Sequence, residues 1–230
     1  MPLYDEIPPY DSDRYPPEQT ISVLRPYISD ERFERMARVV SHRTRHVIPV
    51  VEGSYDVGNA MAILRTAEGL GYAEVHMVET VAQVEKGKRS SKGAEKWLDV
   101  HEWPSSDECL THLRQRGYRV AVTAVDGTTS LPDLDFSTPL AVVFGNELEG
   151  VSAHTMERAD IRFRIPMLGF VESYNVSVAA ALVLYQAFLA RPEPSPSSDN
   201  RDRILLAEYM YRSVRAARHL LDRARAEEDM

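Results

Sequence analysis

This chain of 230 residues contains one cysteine, Cys109, so no disulfide can close within it and a reducing compartment is expected. No basic-then-apolar leader opens it, because MPLYDEIPPYDSDRYPP is acidic and proline-rich. Long hydrophobic runs are missing too. The longest, Val176–Ala190, is broken by Ser177 and Gln186 and is too short for a bilayer. The expectation is a cytoplasmic protein without a membrane partner. Positive charge is also in deficit, with a formal net charge of −8, which argues against nucleic acid as the default partner. The sequence has no CxxC pair, Walker loop, GxSxG elbow or GxGxxG turn, which removes several common redox, nucleotide and hydrolase chemistries. His42 and His46 lie four apart in HRTRH, but the glutamate of a zincin is absent and Val47–Val51 reads as strand. No metal is expected there.

The acidity is unevenly spread. Residues 29–46 carry Arg32, Arg35, Arg38, Arg43 and Arg45 against three acids, and residues 85–96 carry Lys86, Lys88, Arg89, Lys92 and Lys96 against two. Solvated surface is the plain reading of such clusters, and phosphate contact is the functional one.

Residues 1–28 hold six prolines and four tyrosines without a sustained period and read as an extended arm. Ser29-Asp30-Glu31 before Phe33, Met36, Val39 and Val40 reads as a helix start. Alternating strand and helix signals then follow: HVIPVVE from His46, a helix over Asn59–Gly69, a strand over Glu74–Val78 and a helix over Asp107–Arg116. Strands at Arg119–Ala124, Leu140–Phe144 and Ile161–Ile165 precede a final small-residue helix, Val176–Ala190, with a short helix at His154–Glu157. This alternation predicts an α/β fold with a parallel sheet covered by helices on both faces. The final helix is apolar on nearly every face and is expected to be buried. Residues 191–202 (RPEPSPSSDNRD) read as a linker, and 203–230 as a C-terminal helical segment with one helix over Ile204–Arg225.

Three segments could carry chemistry. Asn59 opens a helix as its expected N-cap, with Arg65 nearly two turns on. Phe144-Gly145-Asn146-Glu147-Leu148-Glu149-Gly150 is a glycine-bracketed loop directly after an apolar strand. The segment Ile165-Pro166-Met167 runs through Gly169 to Ser173 and Asn175 at the mouth of the final helix. Strand ends that meet helix starts are where α/β proteins seat ligands. Taken singly, Arg65 is a surface arginine, and Ser173 and Asn175 are helix caps.

Their order is more specific than any one of them. N-x5-RT, FGNE-x-x-GVS and IPM-x-G-x3-S-x-NVSVAAA together resemble the three motifs of the SPOUT class of RNA methyltransferases, most closely the TrmH-type tRNA guanosine 2′-O-methyltransferases. The likeness runs from about Asp30 to Ala190 and includes SKGAEKW at Ser91–Trp97. It implies a SPOUT domain over residues 29–190 with a C-terminal trefoil knot, S-adenosylmethionine as cofactor and a homodimer with active sites near the subunit interface. By motif position it assigns cofactor contacts to Thr123, Ala124, Gly145, Ile165, Met167 and Tyr174. Tyr174 stands where the family commonly has leucine. It gives Arg65 the central catalytic place, with Asn59, Glu147, Ser173 and Asn175 around it. The implied reaction methylates a ribose 2′-hydroxyl of structured RNA, with a tRNA D-loop guanosine first. Arg35, Arg38, Arg43, Lys88, Arg89 and Lys92 are then the expected RNA contacts. Ribosomal RNA is the alternative substrate. Many such relatives add an N-terminal RNA-binding domain, however, and residues 1–45 are too few for one. A non-catalytic RNA-binding dimer on the same scaffold is the remaining alternative; the intact set of site residues weighs against it.

Overall fold

The computed structural model describes residues 9–54, 56–79, 93–146, 148–191 and 200–228. Helices α1 (Pro17–Leu24) and α2 (Asp30–Ser41) are followed by β1 (Val47–Glu52), α3 (Val57–Gly69), β2 (Glu74–Val78) and β3 (Asp99–Trp103). Next come α4 (Ser106–Gln115), β4 (Arg119–Thr123), β5 (Thr129–Ser130), β6 (Leu140–Phe144) and α5 (Ala153–Glu157). Then follow β7 (Ile161–Arg164), α6 (Val176–Ala190), α7 (Asn200–Ser213) and α8 (Ala217–Glu228).

Two compact units result. The larger, residues 44–192, holds the sheet, and the smaller joins residues 1–43 to residues 193–230. The sheet has seven parallel strands in the order β3-β2-β1-β6-β4-β7-β5. Its central strands β1 and β6 are buried at every position, as expected for a parallel sheet covered on both sides. One face packs on α3 and α6 through Met61, Ile63, Leu64, Val183 and Leu184. The other packs on α4, where Cys109, Leu110 and Leu113 meet Ile48, Val50, Val122 and Val143. Each such fully buried Leu or Val contributes about 1.5–3 kcal/mol.

Several expectations are corrected. The arm read over residues 1–28 contains α1, which begins with Pro17 at its first position, where a missing N–H costs nothing. The division expected at residue 29 falls at Thr44, so α2 belongs with the C-terminal helices. Its start is as read: the Ser29 hydroxyl accepts from Arg32 N at 3.3 Å. The single C-terminal helix is two, α7 and α8, and α7 starts at Asn200, inside the expected linker. Strands β3 and β5 were not foreseen; β3 (DVHEW) lies at the sheet edge with no fully buried position, so it carries no apolar run.

Helix α6 also departs from expectation. Ala180, Val183, Leu184 and Ala187 are buried, but Val178, Leu182, Tyr185 and Leu189 stay exposed at 46, 41, 53 and 60%. These four follow i, i+4, i+7, i+11 spacing, one continuous stripe along the helix. Among the described residues, no helix is long and apolar enough to cross a membrane.

Candidate functional site

The C-terminal ends of β1, β6, β4 and β7 lie side by side in the sheet, and the three motif segments leave from them or from the helices that follow. Gly145 departs from β6 into a loop closed on itself. Asn146 N donates to Gly150 O at 3.0 Å and Gly150 N returns a bond to Asn146 O at 3.1 Å. The Asn146 carboxamide oxygen accepts from Leu148 N at 2.9 Å and Glu149 N at 2.6 Å. A Cβ at Gly145 would fall 2.0 Å from the Gly150 carbonyl carbon, so only glycine lets the two strands of the loop approach this closely. Glu147, expected to be catalytic, lies outside the described residues.

The first and third motifs meet directly. The Asn175 carboxamide caps α6, its Oδ1 accepting from Ser177 N at 2.9 Å and from Ser177 Oγ at 2.6 Å. Its Nδ2 donates to Asn59 Oδ1 at 3.0 Å. Asn59 is therefore not the N-cap of α3. That place belongs to Asp56, which accepts from Gly58 N at 2.6 Å and Asn59 N at 3.4 Å. The displaced cap leaves the Asn59 side chain available to Asn175. Arg65 is exposed on α3, and Ser173 is exposed two residues before Asn175.

Of the expected cofactor residues, Thr123, Ala124 and Gly145 lie at the C-terminal ends of β4 and β6, and Ile165 directly follows β7. Thr123 closes β4, its hydroxyl donating to Val143 O at 3.4 Å. Ala124 N donates to Phe163 O at 2.8 Å, and its carbonyl accepts from Gly127 N at 3.1 Å, so much of its backbone polarity is already engaged. Ile165 packs against the core, Met167 is half-buried and Tyr174 is 39% exposed. Leu168, Phe170 and Val171, in the loop between them, are exposed.

Of the expected RNA contacts, Arg35 and Arg38 are exposed on α2, in register with Arg32. Arg43 is different: its Nε donates to the Tyr209 hydroxyl at 2.9 Å and its guanidinium lies 5.8 Å from that ring's centroid. It is committed to packing, and its assignment as an RNA contact is weakened accordingly. Lys88, Arg89 and Lys92 lie outside the described residues. His42 Nδ1 lies 2.7 Å from Arg38 O, and His46 Nε2 lies 2.8 Å from Phe136 O.

A second polar cluster sits away from the strand ends. The buried Glu74 carboxylate receives a fork from Arg116, at 2.5 and 2.8 Å, with Arg45 Nε at 3.4 Å and His101 Nε2 at 3.5 Å. His76 donates from Nε2 to Glu74 at 2.7 Å and accepts the Trp103 indole N–H on Nδ1 at 2.8 Å. Glu74, His76 and His101 are close enough to hold a metal. The Trp103 donor, however, uses the one lone pair of a neutral His76, and the Glu74 carboxylate already accepts the Arg116 fork and His76 Nε2. The cluster reads as a structural ion network. Burial opposes ionisation of Glu74, but Arg116 and His76 outweigh it and hold the carboxyl well below the usual carboxylate range. Burial pushes the His76 imidazole down, whereas the hydrogen bond to Asp99 raises His101. Burial pushes the Cys109 thiol up to about 12, which leaves it inert as a nucleophile.

Sequence reasoning missed Glu52, the buried last residue of β1. The only signal was an acid ending an otherwise apolar strand.

Fold and site together define a parallel α/β protein whose polar side chains converge where strand ends meet helix starts. Residues 46–185 match the SpoU rRNA Methylase family, and the chain belongs to it. A Borreliella burgdorferi protein named tRNA (guanosine(18)-2′-O)-methyltransferase is 32% identical over 170 residues, spanning 74% of this chain and 78% of that one. The crystal structure of the Aquifex aeolicus TrmH/SpoU tRNA modifying enzyme superposes with a TM-score of 0.72 at 27% identity, covering 80% of this chain and 98% of that one. The Streptomyces viridochromogenes SpoU methyltransferase AviRb, solved with AdoMet, aligns with a TM-score of 0.60 at 28% identity, over 64% of this chain and 58% of that one.

Proposed function

We propose that this protein is an S-adenosylmethionine-dependent RNA 2′-O-methyltransferase whose substrate is a D-loop guanosine of tRNA, the nucleoside numbered 18 in the name of its Borreliella relative. The observation that carries the reading is the hydrogen bond from Asn175 to Asn59. It joins the first and third family motifs, and the second leaves the end of β6, the strand next to β1.

The residues fit the cofactor's chemistry. Ile165 and Met167, each partly buried, offer apolar walls to an adenosyl group, while the close packing of Gly150 on Gly145 fixes the shape of the loop beside them. When bound, the cofactor supplies an electrophilic methyl carbon on a sulfonium, and transfer yields a ribose methyl ether, a neutral thioether and a proton. A ribose hydroxyl is a poor nucleophile, so positioning and proton removal must lower the barrier. Exposed Arg65 grips the phosphate beside the target ribose and orients the hydroxyl, as a guanidinium fork does well and an unaided base does poorly. By motif position, Glu147 and Ser173 are assigned to the same site. A C-terminal trefoil knot belongs to this reading.

The uncovered stripe of α6 supports a homodimer. Val178, Leu182, Tyr185 and Leu189 are exposed, as are Leu168, Phe170 and Val171 in the preceding loop, and exposed apolar surface of this kind marks interaction sites. A cytoplasmic location agrees with the single, buried cysteine.

The test is transfer of labelled methyl from S-adenosylmethionine to unmodified tRNA transcript, with ribosomal RNA fragments and Arg65→Ala protein in parallel. Alkali-resistant label on tRNA, absent with the variant, is expected, with cofactor affinity unchanged in Arg65→Ala. Label on ribosomal RNA alone would replace the substrate; no label on either would leave an RNA-binding dimer.

A further inference from the structure

Glu52 is 5% exposed at the C-terminal end of β1. A buried carboxylate ordinarily faces a cation. Among the described residues none pairs with it, and its hydrogen-bond partners are all neutral donors. Ser152 N donates to Oε2 at 2.9 Å and Ser152 Oγ to Oε1 at 2.9 Å. The hydroxyls of Thr155 and Ser106 also donate to Oε1. These partners come from three places: the exit of loop 145–152, α5 and the start of α4. On its own side, Glu52 leads through Gly53, whose φ is +62°, to the Asp56 cap of α3. One carboxylate thus joins the chain that carries Asn59 and Arg65 to the loop that carries Gly145 and Glu147.

We infer that Glu52 is a positioning residue for methyl transfer: by accepting Ser152 N–H and three hydroxyls, it sets the seat of loop 145–152 over the strand ends. This rests on the function proposed above. The acceptor-only chemistry of a carboxylate suits four donors, and two of the bonds fix Ser152 at both backbone and side chain. No charge is needed for the role. A glutamine can keep its oxygen on Ser152 N–H and turn its amide toward the hydroxyls, which rotate to accept. A leucine of similar volume strands a main-chain N–H and three hydroxyls in the interior.

The experiment compares Glu52→Gln and Glu52→Leu homodimers with the unmodified protein. Three quantities are read: amide exchange over peptides spanning 144–156, cofactor affinity by calorimetry, and kcat and KM on tRNA transcript. Glu52→Leu is expected to lose exchange protection at 145–152, to bind cofactor about tenfold more weakly, and to lose about a hundredfold in kcat with KM within about twofold. Glu52→Gln is expected to restore protection and to lie within about threefold of the unmodified protein throughout. A folded Glu52→Leu protein with unchanged loop exchange and unchanged kcat would overturn the inference, as would a Glu52→Gln protein no better than Glu52→Leu. If Glu52→Leu does not fold, Ser152→Ala takes its place. It removes one bond and is expected to raise loop exchange and weaken cofactor about threefold; no change in either would also overturn the inference. Loop exchange reports on Glu52 whatever the substrate, so an unmodified protein that fails to methylate tRNA would defeat the proposed function and leave this test standing.

Discussion

Asn175 and Asn59, 116 positions apart in sequence, share a hydrogen bond of 3.0 Å, and the same Asn175 carboxamide caps α6 through its oxygen. The two ends of one amide therefore do separate jobs, and chemistry can divide them.

Asn175→Asp keeps an oxygen for the cap, since aspartate and asparagine cap comparably. It replaces the donor facing Asn59 Oδ1 with a second acceptor. The melting temperature is expected to stay within a few degrees of the original, while kcat on tRNA falls about tenfold to a hundredfold, the scale of a small misplacement at a reacting centre. Unchanged kcat with intact folding would remove the Asn pair from the site. Asn175→Ala loses the cap as well and is expected to cost about 1 kcal/mol of stability in denaturant titration.

The stripe on α6 gives a test of assembly. Leu182→Glu combined with Tyr185→Asp places two charges on an apolar face that the chain itself leaves 41 and 53% exposed at those positions. In sedimentation velocity the unmodified protein is expected to run as a dimer of the 26.0 kDa chain and the double variant as a monomer. Monomeric unmodified protein would show that the stripe serves some other partner.

Glu74 and His101 give pH dependences of opposite sign. The folded-state pKa of Glu74 is depressed, so its contribution is fully present above the unfolded value of about 4.3 and is lost as pH falls through the lower folded one. His101 is raised, so its contribution is complete below about 6.5 and is lost as pH rises through the higher folded value. Glu74→Gln is expected to cost about 3–5 kcal/mol at neutral pH, because Arg116 is left facing no charge, and to flatten the acid limb of the stability curve. His101→Gln is expected to flatten the limb above pH 6.5 and leave the acid limb alone. Denaturant titrations across pH 3–9 separate the two.

The exposed row on α2 is the test of phosphate binding. Reversing Arg32, Arg35 and Arg38 to Glu is expected to weaken tRNA binding and to lower the slope of log K against log salt by about 0.9 for each phosphate no longer neutralised. Arg43→Ala, which breaks the hydrogen bond to Tyr209, is expected to reduce stability and to leave that slope unchanged. A slope that follows Arg43 instead would reverse the two roles.

Much of this was legible in the sequence because the sheet's centre is buried on both faces. β1, β4 and β6 announce themselves as largely apolar runs, and Val176–Ala190 was read at its observed limits. β3 was hidden because an edge strand half in water carries polar residues. The cap of α3 was misassigned because Asp56 and Asn59 are both good caps, and only the tertiary partner Asn175 decides between them. The exposed stripe of α6 could not be told from a buried face, since Val178, Leu182, Tyr185 and Leu189 are as apolar as the core positions between them. Glu52 was missed for a related reason. Its partners, Ser106, Ser152 and Thr155, lie far along the chain, and single serines and threonines leave no periodic trace.

The strand order has a bearing on how the chain comes to be folded at all. β6 lies between β1 and β4, pairing Val47 with Leu140 and Arg119 with Leu140. Until residue 144 has emerged from the ribosome, β1 can zip only to β2, and β1 and β4 each keep a raw edge turned toward a gap of one strand's width. β6 then fills that gap, and β7, made later still, adds to the far edge of β4. The sequence separation closed in that step is characteristic of slow folding, in which open edges are exposed to neighbouring chains.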